Sequence, residues 1–60
     1  MDRYIYVLED GLIESWEGKL PDDDIASAKD GYIIIIRVSD MKTMNLRGEW
    51  VDIEFLPFER

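Results

Sequence analysis

Residues 32–38 read Tyr-Ile-Ile-Ile-Ile-Arg-Val, and the four consecutive isoleucines break the alternation that a half-buried strand would show. A continuous β-branched run is typical of a strand that is covered on both faces. The sequence therefore predicts a strand here that lies at the centre of a sheet. Asp30 and Arg37 flank the run, where charged side chains protect an aggregation-prone segment from pairing with other chains.

A β-hairpin is predicted before this strand, between residues 3–8 and 12–17. Both segments are rich in β-branched and aromatic side chains, and the Glu-Asp-Gly sequence at 9–11 is a turn signal. A two-residue turn at Asp10 and Gly11 would set charged side chains against apolar ones. A three-residue loop with Gly11 in the left-handed conformation pairs side chains of matching chemistry, so we favour it. This register pairs Val7 with Ile13, Tyr4 with Trp16 and Arg3 with Glu17.

A short helix of about two turns is predicted between the hairpin and the isoleucine strand. Pro21 suits the first helical position, Lys29 lies in the last turn and Gly31 is suited to the C-terminal cap. Negative charge in the first turn stabilises the helix dipole and comes from Asp22, Asp23 and Asp24. The same triplet invites a metal hypothesis, but consecutive helical side chains diverge by about 100° and do not converge on one ion. We therefore predict no metal site and no other cofactor.

A second hairpin is predicted between residues 42–46 and 49–55, with a two-residue turn at 47–48. In this register Trp50 lies on the solvated face, between acidic side chains. Pro57 ends the last strand because it cannot donate a ladder hydrogen bond. The apolar face opposite Trp50 carries Leu46, Met44, Val51, Ile53 and Phe55, with Met44 directly opposite Val51.

These elements predict an α+β fold in the order ββαβββ, formed by residues 1–60 as a single domain. Five strands and one short helix in so few residues favour a small, strongly twisted antiparallel sheet or a partly closed β-roll.

Composition excludes several kinds of chemistry. The 60 residues include no cysteine and no histidine, so disulfides, thiolate or imidazole zinc sites and His- or Cys-dependent nucleophiles are ruled out. No phosphate-binding glycine loop or serine-hydrolase motif occurs either, and we predict that the protein is not an enzyme. A chain this short has a thin core, so it depends on good packing or on association with a second chain.

The charge of the chain is strongly negative and uneven. Fourteen acids against seven bases give a net charge of −7, and nine of the acids but only three of the bases lie in residues 1–30. This field repels phosphate backbones and anionic membranes, so we expect no direct nucleic-acid or membrane binding. The N-terminus carries no signal-peptide pattern and the longest apolar run is far shorter than a membrane span, so we expect a cytoplasmic location.

Aromatic and acidic side chains are the candidate binding residues, because aromatic anchors rimmed by charge are typical of interface centres. For Tyr4 and Tyr6 the alternative is a place in the core of a packing layer. An aromatic side chain beside acids can bind Lys or Arg of another protein. The predicted partner-binding residues are Trp16, Trp50, Tyr4, Tyr6, Glu14, Asp22, Asp23 and Asp24.

Two functional hypotheses follow from these features. The first is a non-catalytic protein-binding module that occupies, and inhibits, a basic or nucleic-acid-handling partner protein. The second is a small module that assembles with copies of itself into a homo-oligomer. In size and charge the chain resembles the accessory proteins of bacteriophages, many of which inhibit host enzymes, although no motif carries that resemblance.

Overall fold

Over the described part of the chain the fold is α+β, an open five-stranded antiparallel sheet with one helix, in the predicted order ββαβββ. The computed structural model describes residues 2–53. Along the sheet the strands follow the order β2-β1-β3-β4-β5, and the sheet does not close into a roll. The elements are β1 (Arg3–Leu8), β2 (Ile13–Glu17), α1 (Asp22–Lys29), β3 (Ile33–Arg37), β4 (Lys42–Met44) and β5 (Trp50–Asp52).

The first hairpin has the predicted register. Its pairs include Val7 with Ile13, Tyr4 with Trp16 and Arg3 with Glu17. A three-residue loop joins the strands, with Gly11 at φ +89°. Bonds from the Leu8 amide to the Leu12 carbonyl and from the Gly11 amide to the Leu8 carbonyl, both 2.9 Å, close the loop. Chemical matching of side chains across the strands therefore selects the correct register.

The isoleucine strand β3 lies at the centre of the sheet, as predicted. It pairs with β1 on one side and with β4 on the other. Ile34 and Ile35 point to opposite faces, yet both are buried. Coverage on both faces is the reason that this segment tolerates an uninterrupted apolar run.

The helix α1 packs on one face of the sheet, where it covers the main core. Ala28 of α1 is fully buried against β3, and Leu20, from the segment before α1, joins the same cluster. The side chains that the sheet contributes to this core are Tyr4, Tyr6, Ile35 and Met44.

Both ends of α1 lie close to their predicted positions. Pro21 is the N-cap residue in extended conformation and not the first helical residue, so that prediction is wrong by one position. At the other end the Gly31 amide donates to the Ala28 carbonyl and the Tyr32 amide to the Ser27 carbonyl. This pair of bonds is a Schellman motif, which satisfies two carbonyls that the helix leaves open.

The second hairpin differs from its prediction by one residue. Met44 pairs with Trp50 and Thr43 with Val51, so the predicted pairing of Met44 with Val51 is wrong. The connection is a three-residue loop, in which the Asn45 amide donates to the Glu49 carbonyl and the Gly48 amide to the Asn45 carbonyl.

A one-residue shift moves every side chain of a strand to the other face. Trp50 consequently lies on the helix side of the sheet with Met44, and not on the opposite face, which the sequence predicts. Strand β5 ends at Asp52, and the predicted places of Phe55 and Pro57 lie outside the described residues.

Candidate functional site

Tyr4 and Trp50 are part of an internal stack on the helix side of the sheet. Tyr4 is 7% exposed, and its ring lies 6.0 Å from that of Trp50 with an interplanar angle of 25°. The Arg37 guanidinium lies over the Trp50 ring, with Cζ 4.4 Å from the ring centroid. Trp50 therefore does bind a cation, but the cation belongs to its own chain.

Arg37 is also fixed by Asp40, to which it donates two hydrogen bonds of 3.0 and 2.6 Å. These bonds lower the pKa of the Asp40 carboxyl and raise the pKa of the Arg37 guanidinium. The guanidinium thus has both a carboxylate and an aromatic partner within the chain. Trp50, Tyr4 and Arg37 therefore pack against one another within the chain and do not form an open binding surface.

Tyr6 connects the sheet to the start of α1. Tyr6 is 7% exposed, and its hydroxyl donates a 2.6 Å hydrogen bond to Oδ2 of Asp24. Burial, followed by this hydrogen bond, raises the pKa of Tyr6 well above its ordinary value. Burial also raises the pKa of Tyr4, together with the negative charge of Asp2. Both tyrosines hold the core together and leave little ring surface for a partner.

The three consecutive aspartates occupy the first turn of α1, where the sequence predicts them. Asp22 and Asp23 are exposed, whereas Asp24 is half-buried and accepts the Tyr6 hydrogen bond. They therefore divide into two groups: Asp24 ties the helix to the sheet, and its two neighbours face solvent. Within residues 2–53 no three acidic side chains lie together in a way that could hold a metal ion.

Trp16 and Glu14 lie side by side on the helix face of β2. The register places Trp16 opposite Tyr4 and Glu14 opposite Tyr6, so both share the face on which α1 packs. Trp16 is 41% exposed, and its Nε1 donates a 3.0 Å hydrogen bond to the Lys19 carbonyl. That bond fixes the indole orientation while part of the ring stays accessible.

We call the exposed helix-side part of β2 and the first turn of α1 the Trp16 surface. Its residues are Trp16, Glu14, Asp22 and Asp23. The ion pairs among the described residues join Arg3 to Glu17 and Arg37 to Asp40, so none of these pairs neutralises an acid of the Trp16 surface.

Large exposed apolar side chains are concentrated on the first hairpin. Ile13 is 71% exposed and Leu12 59%, and Trp16 follows on the same strand. Among residues 2–53, the other large exposed apolar side chains lie apart from them in the chain, at Tyr32, Met41 and Leu46. Because successive side chains of a strand alternate between faces, Ile13 points away from the face that Leu12 and Trp16 share, so exposed apolar surface lies on both faces of the hairpin.

The sequence correctly predicts that Glu14 and Trp16 lie on the same face of β2, because the predicted register of the first hairpin is right. The sequence does not predict the stack of Arg37, Trp50 and Tyr4, because that stack depends on the register of the second hairpin. A signal was present: both loops carry glycine at the third position, in Glu-Asp-Gly at 9–11 and Leu-Arg-Gly at 46–48. The shared pattern indicates a three-residue loop in each hairpin.

Comparisons with known proteins returned no match: no family model, no curated protein and no solved structure is significantly similar to this chain. The described residues contain no helix of the length and apolar character that crossing a membrane requires.

Proposed function

We propose that the protein is a non-catalytic protein-binding module whose Trp16 surface binds a basic region of a partner protein. The observation that carries this proposal is the half-exposed, fixed indole of Trp16 on a strand that is exposed over its whole length. An indole held in one orientation loses little conformational entropy on binding, and Trp and Arg are the side chains that most often dominate interface energies.

Charge supports a basic partner. Glu14 lies beside Trp16, and Asp22 and Asp23 extend the negative field into the first turn of α1. A Lys or Arg side chain placed over the indole gains the cation–π attraction together with the field of these carboxylates. A nucleic-acid-handling protein fits this description because its phosphate-binding surface is basic, and occupation of that surface would inhibit it.

A selection from a random peptide library displayed on yeast tests the proposal. We expect the wild-type chain to enrich peptides rich in Lys and Arg, whose binding weakens as salt rises. Trp16→Ala and Glu14→Gln should each weaken these binders about tenfold, which corresponds to about 1.4 kcal/mol. The matched control is Tyr32→Ala, which removes another exposed aromatic side chain outside the Trp16 surface. Binders that tolerate both Trp16 surface substitutions and are lost with Tyr32→Ala would contradict the proposal.

Self-assembly is the second candidate function, and the exposure of Leu12 and Ile13 on the first hairpin favours it. Apolar burial is not screened by salt, so a homo-oligomer should persist in sedimentation experiments at high NaCl. The binding module, in contrast, should sediment as a monomer in the absence of its partner.

A further inference from the structure

Strand β2 forms one edge of the sheet. Within residues 2–53 it pairs only with β1, and all five of its residues are exposed. An edge strand carries unpaired backbone groups that can bind a further strand. Its outer side is therefore a separate feature from the side chains of the Trp16 surface.

The hydrogen bonds of the hairpin determine which backbone groups point outward. The Leu8 amide donates to the Leu12 carbonyl and the Gly18 amide donates to the Asp2 carbonyl. Because inward and outward residues alternate along an antiparallel strand, residues 12, 14, 16 and 18 point their backbone groups toward β1. The outer edge accordingly presents the N–H and C=O groups of Ile13, Ser15 and Glu17.

Within residues 2–53 this edge carries only part of the usual protection against pairing, namely two acidic side chains, which repel an acidic strand but attract a basic one. Natural edge strands are protected by proline, by charged side chains, especially lysine, by a bulge or by a covering segment. The sequence of β2 is Ile-Glu-Ser-Trp-Glu, which contains neither proline nor lysine, and its register with β1 runs without a bulge. Its only charged side chains are acids, and Glu17 is already paired with Arg3 at 2.8 Å. Glu14 is the other charged side chain of β2, and its negative charge would favour a basic incoming strand.

We propose that the outer edge of β2 accepts an extended basic segment of the partner protein as an added antiparallel strand. This inference rests on the proposed function and specifies how the partner binds. Three backbone N–H and three C=O groups supply the pairing, and side chains on alternate faces supply the selectivity. A Lys opposite Glu14, an Arg opposite Trp16 and an apolar residue opposite Ile13 match the chemistry of the edge.

A second copy of the chain fits this edge less well. A two-fold pairing centred on Glu14 puts the two Glu14 carboxylates directly opposite each other, and one centred on Ser15 leaves them as diagonal neighbours. A pairing centred on Trp16 leaves Ile13 beyond the end of the partner strand. Each copy also carries a net charge of −7, so electrostatic repulsion opposes every one of these arrangements.

A capped peptide, Gly-Thr-Arg-Thr-Lys-Val-Gly, serves as the probe. Its central five residues lie opposite Glu17, Trp16, Ser15, Glu14 and Ile13 in that order. One version is N-methylated at the second Thr and at Val, whose N–H groups point toward β2. The matched control is N-methylated at Arg and Lys, whose N–H groups point away from it.

Calorimetry and amide exchange measured by NMR give the two readouts. We expect the plain peptide and the control to bind equally, and the version methylated toward β2 to bind at least about tenfold more weakly. Exchange at the amides of Ile13, Ser15 and Glu17 should slow on binding. Ser15→Pro removes an outward N–H without removing a hydrogen bond to β1. It should therefore weaken binding of the plain peptide about as much as methylation toward β2 does.

Other outcomes overturn the inference in distinguishable ways. Equal binding of all three peptides with unchanged exchange would rule out strand addition and leave the proposed function standing, because a basic segment would still bind. If none of the peptides binds, strand addition fails, and the library selection decides the proposed function independently. A salt-resistant dimer that protects the same three amides without peptide would make a second copy the occupant.

Discussion

At the scale of single residues, the Tyr6 hydroxyl links the sheet to α1 through its 2.6 Å bond to Asp24. The folded pKa of Tyr6 is raised, mainly by burial, so the folded state holds the proton more tightly than the unfolded chain does. This contribution to stability is complete below about pH 10, the ordinary pKa of tyrosine, and is lost as the pH rises from there toward the folded pKa.

Tyr6→Phe should therefore change stability in two ways. At neutral pH it removes a hydrogen bond to a charged acceptor and should lower the free energy of unfolding by about 1–2 kcal/mol. Above about pH 10 its stability should fall less steeply than that of the wild type. Urea unfolding followed across this pH range measures both effects. Tyr32→Phe, which removes an exposed hydroxyl, is the neutral-pH control. If the stability of Tyr6→Phe falls above about pH 10 as steeply as that of the wild type, Tyr6 is not the group that causes this fall.

Met41 adopts a backbone conformation that methionine seldom takes. It lies in the β3–β4 connection at φ 55°, and its side chain is 54% exposed. Left-handed conformation costs an ordinary L residue about 1–2 kcal/mol, whereas asparagine tolerates it. Met41→Asn should raise the free energy of unfolding by about 0.5–1 kcal/mol, and Met41→Val should lower it because a β-branched side chain is strained there. Equal thermal unfolding midpoints for the two variants would show that backbone strain at residue 41 does not affect stability.

At the scale of elements, the two hairpins share one loop geometry but differ in how far sequence predicts them. In the first, chemical matching of cross-strand pairs distinguishes the registers. In the second, a two-residue turn also gives well-matched pairs, so that criterion fails. The Asn45 side chain supplies the difference, since its Oδ1 accepts the Arg47 and Glu49 amides at 2.9 Å each. Side-chain bonds to a loop backbone leave no trace in hydrophobic patterning.

The parts of the candidate site that sequence predicts are those that depend on the first hairpin. Glu14 and Trp16 follow from the first hairpin, whose register depends on local pairing. The position of Trp50 depends on the second hairpin, and the Arg37 guanidinium comes from a different strand, β3. Alternation along a strand assigns a face only after the register is known. A one-residue error therefore moves the Trp50 side chain from a half-buried stack to an exposed surface.

Gly48 should be required for the three-residue loop of the second hairpin. At φ +83° a side chain is strained, and a Cβ there would also lie 3.4 Å from the flexible Lys29 side chain. Gly48→Ala should lower the free energy of unfolding by about 1–2 kcal/mol, with a smaller loss for Gly48→Asn. Gly11→Ala is the matched control, since Gly11 has φ +89° and open space around it. Similar urea midpoints for the two alanine variants would assign the loss of stability to backbone strain. An unchanged midpoint for Gly48→Ala would contradict the prediction that the loop requires Gly48.

At the scale of the whole molecule, the excess of negative charge acts on both stability and binding, with opposite responses to salt. The two ion pairs of the described residues involve partly or largely exposed side chains, and pairs of this kind contribute little. With a net charge of −7, we expect self-repulsion of the folded chain to outweigh them. The packed isoleucine strand and the buried tyrosines thus stabilise the fold against the charge that we propose serves binding.

Raising NaCl from about 20 mM to about 500 mM shortens the Debye length from roughly 20 Å to roughly 4 Å and screens this repulsion. The urea midpoint of the free chain should therefore rise with salt, while its affinity for the basic probe peptide should fall. Glu9→Lys changes an exposed loop residue and reduces the excess of negative charge by two, so it should flatten the salt dependence of stability. Because Glu9 lies outside the Trp16 surface and outside β2, the variant should retain most of the peptide affinity at high salt. A urea midpoint that falls with salt would mean that the ion pairs outweigh the self-repulsion, and an affinity that rises with salt would contradict charge-based recognition of the peptide.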